Sequence, residues 1–313
     1  MEGKSFTLCA VIPISRMAGK LELFKSWVLE GQDYSIFFVI VHDWRDQETE
    51  NELISFLSTL KSERYAYVSS KFGSPGMARN AGISNAVGEW IAFWDSDDLP
   101  NLENVLSAIR VNGNQDEVLI GNYEMCDSTN FVTSEVNLGT NWQESVSRNP
   151  GLWRMVFRRE AIGMTIFSDL LMGEDQLFLI DFRIFERRVK IYREKFYSYQ
   201  TMHDYQATNN RSSLSDLIRC LILTRNRIGT LQTNNLIYYQ RMFIRQSLTA
   251  LKRLGGIGRV KTLYQMKHFA RVYGFRTTIR LASTIIRESR LDYSNHLFGH
   301  EDIASTVKEV NEK

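Results

Sequence analysis

The sequence predicts an α/β protein: a mostly parallel sheet covered by helices over residues 1–210, followed by a basic, mainly helical region over residues 211–313. Three observations carry this expectation. Short apolar runs alternate with amphipathic stretches through the first half. The alternation stops at a polar, turn-prone run, Ala207 to Ser213. The charge reverses there as well, from a net −9 over residues 1–210 to +13 over residues 211–292.

The elements follow in order. Leu8–Ile14, Ile36–Val41, Tyr65–Val68, Trp90–Trp94 and Val118–Ile120 are apolar runs bounded by turn residues and rich in Val, Ile and aromatics, so they read as buried strands. Leu21–Leu29, Glu48–Leu60 and Met77–Ala86 are amphipathic and read as the helices between them. Ser213 with Asp216 has the pattern of a helix N-terminus, a capping hydroxyl with an acid in the first turn. From there the pattern is helical to about Arg290, broken at Gly255-Gly256. In a sheet of this kind ligands bind beyond the carboxyl ends of the strands, so the residues just after each strand carry the functional expectation.

Composition narrows the class. The chain has 313 residues, 43% apolar and 24% charged, with 4 Pro, which suits a large buried core and excludes wholesale disorder. Cys9, Cys126 and Cys220 lie far apart and are odd in number, so neither a disulfide framework nor a zinc spacing follows, and a reducing compartment is expected. The longest unbroken apolar run, Ile36 to Val41, is far short of the roughly 20 residues of a helical membrane span. Leu8 to Ile12 is too short for a signal-peptide core, and Pro13 interrupts it, so a cytoplasmic protein is expected.

Three constellations could carry chemistry. In Trp94-Asp95-Ser96-Asp97-Asp98 an apolar strand runs into three carboxylates. Crowded carboxylates repel unless a cation neutralises them, and Mg²⁺ or Mn²⁺ is the hard, oxygen-seeking ion that fits. The alternative is a solvated acidic turn in which Asp97 or Asp98 caps the next helix. In Ser74-Pro75-Gly76-Met77-Ala78-Arg79, Ser74 and Pro75 form a helix start that puts Arg79 one turn in, where it could order the acidic turn, touch a diphosphate, or form a plain ion pair. In Gly173-Glu174-Asp175-Gln176 the paired acids favour a helix dipole, or one of them serves as a general base if the fold brings it to the acidic turn.

Together with Val11-Ile12-Pro13-Ile14-Ser15, His42-Asp43 and Ala78-Arg79-Asn80-Ala81-Gly82-Ile83, these motifs occur in the order and spacing of the family 2 glycosyltransferases, which the chain resembles over about residues 6–205. Trp153-Arg154-Met155-Val156-Phe157-Arg158-Arg159-Glu160 and Tyr197-Ser198-Tyr199-Gln200 resemble later blocks of the members that build O-antigen, capsule or other bacterial surface polysaccharide. The resemblance implies the Rossmann-like GT-A fold, with helices on both sheet faces, and inverting, metal-dependent transfer from a nucleotide-diphosphate sugar, such as a UDP-sugar, to a saccharide acceptor. It implies that Pro13 and Ser15 line the nucleotide pocket, that Asp43 contacts the base, and that Arg79 supports the nucleotide site. Asp95 and Ser96 would lie against the donor, Asp95 facing the ribose. Asp97 and Asp98 would hold the Mn²⁺ or Mg²⁺, and Asp175 would be the catalytic base. His203 has the approximate place of a third metal ligand in some GT-A enzymes, and a packing role competes with that reading. Two positions depart from the family pattern: His42 stands where an acid is usual, and Gln200 where an Arg is usual.

The C-terminal region carries the last expectation. Between Arg241 and Arg287 there are 11 Lys+Arg and no acid, with apolar residues interleaved from Leu248 to Phe275. Two basic amphipathic helices separated by Gly255-Gly256 would suit an anionic membrane surface, and with it an acceptor carried on a polyprenyl diphosphate. The alternative is that the apolar side packs on the first domain. A non-catalytic role on nucleic acid is the competing function, but aromatics are sparse here and no nucleic-acid module signature is present.

Overall fold

A computed structural model describes residues 6–288, apart from 114, 128–130, 140 and 202–210. Strand β1 (Leu8–Ile14) leads through helix α1 (Glu22–Gly31) to β2 (Ile36–Asp43). The chain continues through α2 (Gln47–Leu57) to β3 (Tyr65–Ser70), and through α3 (Pro75–Ser84) to β4 (Trp90–Phe93). Then come β5 (Leu99–Pro100), α4 (Leu102–Asn112), β6 (Val118–Cys126), β7 (Val132–Val136) and α5 (Trp142–Arg148). They are followed by β8 (Met155–Arg158), α6 (Arg159–Ile162), α7 (Glu174–Asp181) and β9 (Val189–Gln200). Helices α8 (Arg211–Thr230), α9 (Leu236–Arg253), α10 (Gly256–Tyr273) and α11 (275–288) end the described chain.

The strands form one sheet in the order β3-β2-β1-β4-β8-β6-β9-β5, with β7 beside β6. Its first half, β3-β2-β1-β4, is entirely parallel, as strand–helix alternation requires. The second half is mixed, because β8 runs antiparallel between β4 and β6, while β9 lies parallel to β6.

Period-2 alternation sends each strand's side chains into two cores. Cys9, Val11, Val39, Val41, Ile91 and Phe93 face the side that carries α3, α7, α8 and α9. Leu8, Ala10, Ile12, Phe38, Ile40 and Trp90 face α1, α2 and α4. Both faces are therefore covered, and the parallel strands are near-continuous apolar runs. Helix α3 lies close on β1 because Gly82 has no side chain: a Cβ there would stand 2.2 Å from Val11 Cγ1.

The C-terminal helices share the first of these cores. Tyr239, Met242, Phe243 and Ile244 of α9 are fully buried, and the Tyr239 ring meets Phe185 edge-on at 4.8 Å. Arg241 crosses from α9 to bond Ser147 Oγ at 3.1 Å and Glu288 at 2.9 Å, which ties α5, α9 and α11 together.

Two sequence expectations change here. The helix expected to start at Ser213 already includes Arg211, so Ser213 lies inside α8. Asp216 does not serve that helix start; its Oδ2 accepts the Leu171 N–H at 2.7 Å. The two helices expected over 241–290 are three, since Gly274, at φ +92°, ends α10 through a backbone geometry that a side chain disfavours. The rest of the expected break, 207–210, and His203 lie outside the described residues.

Candidate active site

The site grows from the carboxyl ends of β1, β2 and β4 and from the start of α7. Ser15 and Arg16 follow β1. Pro13 lies on β1, half-buried, and the Ser15 hydroxyl donates to the Asp43 carbonyl at 3.1 Å, joining the β1 and β2 ends. Arg16 takes φ +56°, a left-handed conformation rare for a residue with a side chain, and such strain concentrates at functional loops. At the end of β2, Asp43 accepts the N–H groups of Phe72 (2.8 Å) and Gly73 (3.1 Å) on one oxygen, and Arg45 pairs with the other at 3.2 Å. Asp43 therefore shapes the loop after β3. His42, beside it, is fully buried against the Tyr67 hydroxyl at 3.0 Å, and burial pushes its pKa down, so the neutral imidazole is favoured.

Arg79 is the centre of the arrangement. Ser74 caps α3, its hydroxyl oxygen accepting the Met77 N–H at 3.4 Å, with Pro75 in the first turn, as the sequence predicts. One turn in, the buried Arg79 reaches three carboxylates: Asp95 Oδ1 at 2.8 Å, Glu174 Oε1 at 2.7 Å and Asp175 Oδ1 at 3.2 Å. Burial alone would lower its pKa, but Asp175, Asp95 and Glu174 outweigh that, so the guanidinium stays charged. Its two terminal nitrogens pair with protein carboxylates, while Nε is buried without a hydrogen-bond partner among the described residues, and Arg79 links the acidic turn to α7.

The acidic turn itself divides in two. Asp95 and Asp97 are half-buried, while Ser96 and Asp98 are buried. Asp98 points inward: Tyr197 donates to its Oδ2 at 2.9 Å and the Gln200 N–H to its Oδ1 at 2.7 Å. The same Tyr197 oxygen accepts the Asp95 N–H at 3.1 Å. Burial, then Asp97 and Asp95, push Asp98 well above the usual carboxylate range, against the pull of these two donors. Asp98 thus anchors β9 to the turn, and the next helix is capped instead by Asn101, whose Oδ1 accepts the Asn104 N–H at 2.9 Å. In the donor set expected for a hard divalent ion, Asp97 is half-buried on the turn and Asp98 is buried, each of its oxygens already accepting one protein hydrogen bond. Among the described residues no cluster of three or more His, Cys, Asp or Glu gathers as a metal cage.

Asp175 shares the Arg79 guanidinium with Asp95 and also accepts the backbone N–H of Leu152. Burial raises its pKa to about 8; Arg79 lowers it, and Glu174 and Asp95 add to the rise. Helix α7 is held in place from behind. Gly173, at φ +88°, packs against α8 and α9 so closely that a Cβ would stand 2.6 Å from Cys220 Sγ and 2.9 Å from Gln246 Nε2. Gln176 donates to Gln246 Oε1 at 2.9 Å and to Thr224 Oγ1 at 3.3 Å, and Gln246 Nε2 reaches Cys220 Sγ at 2.7 Å. A buried polar network thus joins the start of α7 to the C-terminal helices.

The structure therefore brings together Arg79, Asp95, Ser96, Asp97, Asp98 and Asp175, with Pro13, Ser15 and Asp43 along the neighbouring strand ends. Three participants have no assigned role in the sequence reading. Glu174 takes the shortest Arg79 contact. Tyr197 carries the hydroxyl between Asp95 and Asp98. Trp153 stacks on Tyr197 at 4.9 Å and on Tyr199 at 5.5 Å. The alternation of Tyr197 and Tyr199 along one strand is the signal that could have found this aromatic wall.

An uncharacterized glycosyltransferase of Rickettsia conorii is 34% identical over 93 residues, which is 29% of this chain and 15% of that protein. The chain therefore spans only a small part of the length of the curated relatives it matches. Among solved structures, residues 1–349 of TarS from S. aureus, in complex with UDP-GlcNAc, superpose with a TM-score of 0.68 at 16% identity, covering 92% of each chain. The mannosyltransferase PcManGT from Pyrobaculum calidifontis, in complex with GDP-Man and Mn²⁺, superposes with a TM-score of 0.50 at 12% identity, over 90% of this chain and 87% of that one. At these identities the likeness is one of fold, which is GT-A-like. The profile of Glycosyl transferase family 2 matches residues 27–188, just over half of the chain and the stretch that holds Arg79, the acidic turn and Asp175; the chain belongs to that family.

Proposed function

We propose that the protein transfers a sugar, with inversion, from a nucleotide-diphosphate sugar such as a UDP-sugar to a saccharide acceptor carried on a polyprenyl diphosphate, in the making of a bacterial surface polysaccharide. The observation that carries this reading is the clamp of Arg79, one terminal nitrogen on Asp95 and the other on Asp175, which holds the α7 carboxylate beside the acidic turn. Inversion needs a donor side and an acceptor side: the donor's diphosphate leaves from one face of the sugar and the acceptor hydroxyl arrives at the other.

On the donor side, Pro13, Ser15 and Asp43 border the nucleotide pocket, with Asp43 presenting the loop it holds toward the base. Asp95 and Ser96 lie against the ribose and diphosphate. Asp97 would hold a divalent cation, Mn²⁺ or Mg²⁺, which when bound supplies Lewis-acid stabilisation of the leaving diphosphate. Asp98 keeps the turn in shape from below.

On the acceptor side, Asp175 takes the proton of the attacking hydroxyl, a contribution typically worth about 10²–10⁴-fold in rate. Its raised pKa suits this role, because a base poised near the working pH is both available and strong. Tyr199, half-buried and backed by the buried Trp153, offers a ring face of the kind a sugar packs on.

Titration calorimetry with UDP-, GDP- and dTDP-sugars, with and without Mn²⁺, tests the donor assignment. One nucleotide class should bind, more tightly with the ion, and Asp97→Ala should abolish the difference that the ion makes. Absence of heat from every nucleotide sugar would overturn the reading.

A further inference from the structure

We propose that the outward face of α10 and α11 docks on an anionic lipid bilayer. The proposal extends the reading of a lipid-borne acceptor, but it stands on a different surface from the active site. The first part of the expected basic region proves to be largely buried: α9 turns Met242, Phe243 and Ile244 into the core. The exposed part is α10 and α11. Eight of the seventeen large apolar side chains exposed on the described surface fall between Ile257 and Ile286. Ile257 (76% exposed), Val260 (66%) and Tyr264 (57%) follow spacings of three and four, which puts them on one stripe of α10. Phe275 (69%) and Ile279 (54%) do the same on α11.

Cations interleave with this stripe. Arg259, Lys261, Lys267, Arg271, Arg276, Arg280 and Arg287 occur without an acid between Leu254 and Arg287. Beside them, a groove of about 410 Å³ between α8 and α10 is lined by Ile218, Ile222, Leu254 and Ile257 together with Arg219 and Lys261.

The occupant must satisfy both properties. A nucleic acid would match the charge and leave the Ile, Val and Leu side chains in water. A second copy of this chain would bury the apolar stripe but press seven cations against seven. An anionic bilayer offers phosphate at its surface and hydrocarbon beneath, which is how basic amphipathic helices lie in an interface. Tyr264 fits the headgroup level, where aromatic rings with a polar tip collect. Among the described residues no helix is long and apolar enough to cross a membrane, so the contact is one of surface insertion.

Vesicle sedimentation of the full chain tests this. Phosphatidylcholine vesicles containing phosphatidylglycerol should take up at least about tenfold more protein than phosphatidylcholine alone, and high salt should weaken the binding. Val260→Glu with Tyr264→Glu, and separately Lys267→Glu with Arg271→Glu, should each lower it about tenfold or more. Thermal melting confirms that these surface variants fold. Nucleotide-sugar binding should be unchanged in all of them, so failure of this proposal and failure of the transferase reading register in different measurements. Three results would overturn the proposal: no binding to anionic vesicles, binding that the apolar pair of substitutions leaves intact, or a wild-type dimer that the same pair dissociates.

Discussion

Arg79 holds Asp95, Glu174 and Asp175 at 2.7–3.2 Å while buried to 4% exposure. Removing one partner of a buried ion pair leaves the others uncompensated, so Arg79→Met should lower stability by about 3–5 kcal/mol in urea unfolding. An unchanged midpoint would mean that the three carboxylates do not depend on it. The pH dependence of rate follows from the proposed base, Asp175. Its pKa is raised to about 8, and a base acts only when deprotonated. Activity should therefore climb with pH through neutrality, reach half its maximum near that value and level off about a unit above it, and Arg79→Lys, with a single ammonium in place of the fork, should move the limb upward. A flat profile between pH 6 and pH 9, taken here as about two units below and one above that pKa, would assign the proton to another group. At this scale the sequence was legible where chemistry is crowded: three acids in the acidic turn and two more at Glu174 and Asp175 announce themselves. The inward turn of Asp98 was not legible, because it depends on Tyr197 and on the Gln200 backbone, a hundred residues away.

At the scale of elements, α7 carries the proposed base, and α8 and α9 hold it in place. Gly173→Ala would place a Cβ 2.6 Å from Cys220 Sγ at a backbone φ of +88°, so it should cost about 1–3 kcal/mol of stability and lower kcat more than donor affinity. Differential unfolding with steady-state kinetics checks this; a fully active, fully stable variant would show that the backing does not matter. The parallel strands were readable because strands buried on both faces are continuous apolar runs, as in Ile36 to Val41. Strand β9 was not, since Val189–Gln200 is half-exposed and carries Lys190, Arg193, Glu194 and Lys195 among its aromatics. The third C-terminal helix escaped notice because its break rests on Gly274 alone, where Gly255-Gly256 gave a double signal.

At the scale of the molecule, a parallel half-sheet borders the proposed nucleotide pocket, a mixed half carries the Trp153–Tyr197–Tyr199 stack, and the C-terminal helices back the start of α7. The charge split seen in the sequence resolves the same way: the acidic part holds the proposed transfer site, and the cations of α10 and α11 face outward, away from the buried α9. What the whole arrangement claims is that Asp175 is a proton acceptor rather than a structural partner of Arg79. The most direct test compares wild type and Asp175→Asn in two readings: affinity for the nucleoside diphosphate by calorimetry, and its release from the nucleotide sugar by a coupled assay. The account predicts equal affinity and a release rate lower by about 10²–10⁴-fold in the variant. Release at the wild-type rate by a well-folded Asp175→Asn protein would contradict it.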